Sequence, residues 1–258
     1  MKTIAVVAQK GGTGKTTTSI NVGAALAKLD YKVLLADLDP QRNLSDTLGY
    51  TYNNRPETMN ELIYFSSYDM PCDYRQFVQR NEAEGLDFIP STRALKAAPA
   101  MLAMVKNSSM VLAKIFQAEF FQQYDFIILD CPAAQDLLAD NALAASDGII
   151  IPLEPEEYAV TGLADVLDTV DTIRSQFNVG LELTGVLITK ADGRRNSPDT
   201  VRADLEEVLG DKVFKTTIPY LNEAPKAAAE RRSCVSVDSS RIGQLYMDVA
   251  KEVLAAWA

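Results

Sequence analysis

A doubly wound α/β fold, a mostly parallel sheet with helices on both faces, is what this sequence predicts, on three observations. Short apolar runs rich in β-branched residues recur along the chain, and longer segments with helical spacing separate them. The first run passes straight into a glycine-rich turn and then a helix start. A strand reads as uniformly apolar when both of its faces are covered, which is the condition inside a parallel sheet.

Strands are expected at Ile4 to Ala8, Val33 to Ala36, Leu86 to Ile89, Phe126 to Leu129, Gly148 to Leu153, Gly185 to Thr189 and Val213 to Ile218. Helices are expected at Thr16 to Leu29, Tyr158 to Phe177, Pro198 to Leu209 and Ile242 to Ala256, with two more between Thr92 and Gln123. No repeat, low-complexity tract or Pro/Gly/Ser-rich linker divides the 258 residues, so one domain over 1–258 is expected.

Composition narrows the chemistry. Histidine is absent, which removes imidazole catalysis and histidine metal ligation. Cys72, Cys131 and Cys234 form no CxxC pair, so neither a disulfide framework nor a zinc site is expected. No signal peptide and no long apolar run are visible, and the expected location is the cytoplasm, with possible nucleoid association. The net charge of -10 speaks against a uniformly basic nucleic-acid binder. Residues 185–232 nevertheless hold nine Lys/Arg against eight Asp/Glu, so any polyanion contact is expected there.

The first strand leads into Gln9-Lys10-Gly11-Gly12-Thr13-Gly14-Lys15-Thr16-Thr17 and then a helix. Glycines let backbone N–H groups curl around phosphate oxygens, the helix N-terminus adds positive partial charge, and Lys15 neutralises the terminal phosphates. The Thr16 hydroxyl is placed to ligate Mg2+. An ordinary P-loop asks for glycine where this chain has Gln9, and it carries Lys10 instead. Asp37 and Asp39 follow the second strand and Asp130 a later one, at the carboxyl ends where open α/β sheets bind ligands.

The Lys-Gly-Gly-x-Gly-Lys-Thr-Thr string resembles the deviant Walker A motif of the ParA and MinD superfamily of P-loop ATPases. With Asp39-Pro40-Gln41, the whole chain is similar to the short, Soj-like branch of ParA proteins. The resemblance implies ATP and Mg2+, with Gly11 to Thr17 cradling the phosphates. It implies that Lys10 reaches across a homodimer to the partner's nucleotide, that Asp39 positions water, that Asp37 is a supporting carboxylate near the metal and that Asp130 is the Walker B aspartate. Lys190, Asp192 and Pro219 correspond to the segments beside the purine. Family members bind DNA without sequence preference as ATP dimers and are released when a ParB-like partner stimulates hydrolysis, so that plasmid or chromosome DNA is positioned. Arg194 and Arg195 match one of the family's basic positions. A second is missing, because Ile218 to Asn222 is three residues shorter than the family's loop and has no arginine.

Lys215, Lys226, Arg231, Arg232 and Arg241 are substitutes for that second position. The loop starts at residue 9, so the preceding DNA-binding domain of longer ParA proteins is not expected, and the last helix reads as core-packing rather than as a membrane anchor. Other classes share this phosphate site. They are a MinD-like or cargo-positioning ATPase that does not track DNA, a ligase of the dethiobiotin synthetase kind, and an iron-sulfur reductase for which Cys131 is the available thiol.

Overall fold

The computed structural model describes residues 1–51, 57–133, 136–156, 159–192 and 198–257. Among these, seven strands form one sheet: β1 (Lys2–Val6), β2 (Val33–Asp37), β3 (Gln79–Asn81), β4 (Leu86–Ile89), β5 (Phe126–Asp130), β6 (Gly148–Leu153) and β7 (Glu182–Ile188). Their order is β3-β4-β2-β5-β1-β6-β7, and only β3 runs antiparallel to its neighbour. The helices are α1 (Lys15–Lys28), α2 (Asn43–Thr47), α3 (Met59–Ser67), α4 (Ala98–Leu102), α5 (Val111–Phe116), α6 (Leu137–Ala144), α7 (Ala159–Gln176), α8 (Pro198–Leu209), α9 (Glu223–Ala229) and α10 (Arg241–Ala255).

Strand alternation sorts the core into two layers, because successive side chains leave opposite faces. Ala5, Leu34, Ala36, Ile127 and Leu129 pack in the layer that holds residues of α3, α5, α6 and α7. Ile4, Val6, Val33, Leu35, Phe126 and Ile128 pack in the layer that holds α1 and α10. The final helix therefore spends its apolar face on the core: Tyr246, Val249 and Val253 are buried, and Trp257 tilts against Phe126 beneath the Lys2 ammonium.

One expectation is corrected. Val213 to Ile218 is not a strand, although Val213 bridges Val186 and the Phe214 N–H donates to Val186 O. Side chains satisfy the backbone there instead: Glu252 accepts from the Lys215 and Thr216 N–H groups, and Arg202 donates to the Phe214 and Lys215 carbonyls. The Thr92 to Gln123 stretch holds the two expected helices, α4 and α5, but they are short, 5 and 6 residues, and 3-10 turns flank them. Asn107 breaks it with φ 58°, and buried Asn141 on α6 takes over the freed groups. Its Oδ1 accepts from the Val111 and Leu112 N–H groups, and its Nδ2 donates to the Ser108 and Leu137 carbonyls. Asn141→Ala strands buried polar groups and is expected to cost about 3 kcal/mol, read as a lower urea midpoint. Strand β3 escaped notice because Gln79-Arg80-Asn81 is polar, an edge held by Arg80 Nη1 donating to Asp87 at 3.1 Å.

Candidate nucleotide site

The chain leaves central strand β1 and turns through residues 7–14 into α1. Gly12 (φ 81°) and Gly14 (φ 93°) take left-handed backbone that other residues adopt only with strain. Gly14 is the N-cap of α1 and no side chain caps that start, so its leading N–H groups remain available to an anion. Thr189, just beyond β7, braces the loop by donating its hydroxyl to Thr13 O at 2.7 Å. Thr13 itself turns its hydroxyl toward Lys10 O and so stiffens the loop from within.

Lys15 is buried, and its ammonium donates to the carbonyls of Ala8 and Lys10 at 3.4 and 3.3 Å. Burial lowers its pKa, while the Asp130 and Asp39 carboxylates pull it back upward.

Strand register assembles the acids. Asp37 and Asp130 end β2 and β5 and face each other in the pairing of these strands, and Val6 of β1 pairs with Asp130 from the other side. Asp130 accepts from the Thr16 hydroxyl at 2.8 Å and the Ser19 hydroxyl at 2.9 Å. Asp37 accepts from the Ser45 hydroxyl and N–H at 2.6 and 2.9 Å and from the Asp39 N–H at 3.0 Å. Burial pushes both carboxyls above the usual range, and the charge of Asp130 raises Asp37 further. Neither accepts a hydrogen bond from Lys or Arg among the described residues. Two buried carboxylates beside a threonine hydroxyl, with the Lys15 ammonium near Asp130 but not hydrogen-bonded to it, fit a hard divalent cation. Among the described residues, no group of three acidic, cysteine or histidine side chains that could hold a metal occurs.

Asp39 stands at the edge of the cleft. Its Oδ1 accepts from the Gln41 N–H at 2.8 Å, and its carbonyl accepts from the Ser91 hydroxyl at 2.9 Å. A cleft of about 860 Å³ is lined by Gly11, Gly12, Gly14, Lys15, Thr16, Thr17 and Asp39 on one side. Lys190, whose ammonium lies beside Gly12, also lines it, as do Ala224, Ala227 and Ala228 of α9. Asp192 and Pro219 do not line it; Pro219 is bridged to Ala191, one residue from Lys190. Lys10 also lies outside this cleft. It pairs with Glu156 on the rim of a separate, mostly apolar cavity of about 520 Å³ between the loop, the end of β6 and α7.

Sequence reasoning missed Ser19, Ser45 and Thr189. Ser19 carried a signal, since it lies one helical turn after Lys15 on the face that Thr16 shares. Ser45 and Thr189 act through tertiary contacts with no local pattern. Arg231 and Arg232, named above as substitutes for the missing basic position, line the nucleotide cleft just after α9, and Arg232 pairs with Glu230. Arg194 and Arg195 fall outside the described residues. Cys131 is buried behind Asp130 with its thiol held up by burial, the environment of a packed core residue.

A family model described as an AAA domain matches residues 1–183. Over almost the whole length, the chain is similar to the sporulation initiation inhibitor protein Soj of Bacillus subtilis (strain 168), 37% identical over 255 residues and covering 98% of both chains. It is also 32% identical over 257 residues to the chromosome partitioning protein ParA of Caulobacter vibrioides, covering 99% of this chain and 94% of that one. The chain belongs to the ParA/Soj family of P-loop ATPases. Among solved structures, cobyrinic acid a,c-diamide synthase from Mycobacterium smegmatis with bound ATP analog and magnesium matches with a TM-score of 0.84 and 29% identity, covering 100% of this chain and 96% of that one. In the Ile218 to Asn222 segment Tyr220 is exposed and no arginine occurs. Among the described residues, no helix is long and apolar enough to cross a membrane.

Proposed function

We propose that this protein is an ATP-dependent dimerising switch that positions plasmid or chromosome DNA. Loop N–H groups and Lys15 would hold the phosphates, Thr16 and Asp130 would hold Mg2+ with Asp37 behind them, and the alanine face of α9 would flank the base. The bound metal supplies neutralisation of the transferred phosphoryl group. Asp39 orients the attacking water, so hydrolysis proceeds by positioning and electrostatics without a covalent intermediate.

The observation that carries this reading is the separation of the two lysines. Lys15 points into the loop, whereas Lys10 is on the other side of it and does not line the cleft of its own chain. This placement supports the reading that Lys10 completes the site of a second subunit and so ties hydrolysis to assembly. Slow turnover, a ParB-like activator and nonspecific DNA complete the proposed cycle, with the nucleoid as its track.

The acidic charge favours a second reading, an ATPase of the same kind that carries cargo without DNA. Binding of Asp39→Ala to random duplex DNA over a salt series separates the two. The DNA reading expects binding with ATP and not ADP, weakening steeply as salt rises. Dimerisation with ATP but no binding at low salt leaves the switch and removes the DNA track.

A further inference from the structure

We propose that Glu156 is a positioning residue for Lys10, holding this ammonium on its own subunit until ATP fills the loop. The inference rests on the dimerising reading above and adds to it the contact that keeps the empty protein from assembling.

Three residues after β6 form the holding device. The Glu156 N–H donates to Glu154 O at 2.9 Å, a tight turn that presents two carboxylates to the phosphate loop. Glu156 pairs with Lys10, and Glu154 lies 3.8 Å from the Lys190 ammonium. A single short segment therefore tethers both lysines that flank Gly11 and Gly12. Glu156 lies on the cavity beside α7 and not on the nucleotide cleft, so it has no phosphate to contact in its own subunit.

Release is built into the same loop. Lys15 donates to the Lys10 carbonyl at 3.3 Å, which ties the backbone of Lys10 to the empty phosphate site. When phosphates draw the Lys15 ammonium to themselves, that tie is lost and the Lys10 carbonyl keeps only the longer contact from the Thr13 hydroxyl, at 3.5 Å. The ion pair that remains is 59% exposed at Lys10 and 47% at Glu156, a screened contact that a new partner can displace.

The test compares wild type and Glu156→Gln, an isosteric change at an exposed position. Sedimentation at graded protein concentration with saturating ATP gives the dimerisation midpoint, and a fluorescent ATP analogue gives the affinity of the monomer. Acylation of Lys10 in the nucleotide-free protein, followed by mass spectrometry, reads the pair directly. Glu156→Gln is expected to lower the dimerisation midpoint by about three- to tenfold, leave monomer ATP affinity unchanged and raise the Lys10 acylation rate. An unchanged or higher midpoint while wild type dimerises, or an unchanged acylation rate, overturns the holding role. Failure of wild type itself to dimerise with ATP would instead overturn the dimerising reading.

Discussion

Lys15→Ala is expected to weaken ATP binding by roughly two to three orders of magnitude. The ammonium is the one buried cation at the loop, and charge-assisted hydrogen bonds to two phosphates are worth about 3–4 kcal/mol in total. Its present partners are two backbone carbonyls, so the empty protein loses little when it goes. Equilibrium binding of a fluorescent ATP analogue, with a urea melt to show that the fold persists, checks this. Wild-type affinity in the variant would remove Lys15 from the phosphate site.

Asp39→Ala is expected to lower hydrolysis by about 10²–10⁴-fold while ATP remains bound, the range for losing a group that positions or activates a nucleophile. Asp39 makes no hydrogen bond to Thr16 or Lys15, so the metal and phosphate contacts survive its removal. What is lost is a carboxylate held at the cleft edge by the Gln41 N–H. Single-turnover hydrolysis beside ATP affinity separates these effects. Equal loss of both would place Asp39 in binding instead of in positioning the water.

The sheet was legible wherever a strand is covered on both faces. β1, β2, β5 and β6 each contain an uninterrupted apolar run, and six of the seven expected strands are present. The phosphate loop was legible because its chemistry is local, a strand, two glycines in left-handed backbone and a helix start within a few residues. Failures arose where tertiary contacts replaced a local rule. Val213 to Ile218 has strand composition, yet Glu252 and Arg202 reach over from two helices and take its backbone groups. The break before α5 is held by Asn141, thirty residues later in the chain than the N–H of Val111 that it binds. Helix α9 was not among the expected helices, and its Pro225 is tolerated because it stands in the first turn. The same reason hid the partners of the two strand-end acids, since an aspartate after a strand shows its position but not the serine that will hold it.

Sedimentation velocity of Asp39→Ala with ATP and with ADP, beside the same protein carrying Lys10→Ala, tests the central claim most directly. The account predicts a stable dimer with ATP, a monomer with ADP, and a monomer with either nucleotide once Lys10 is removed. A monomer in every condition, or an ATP dimer indifferent to Lys10, would contradict it.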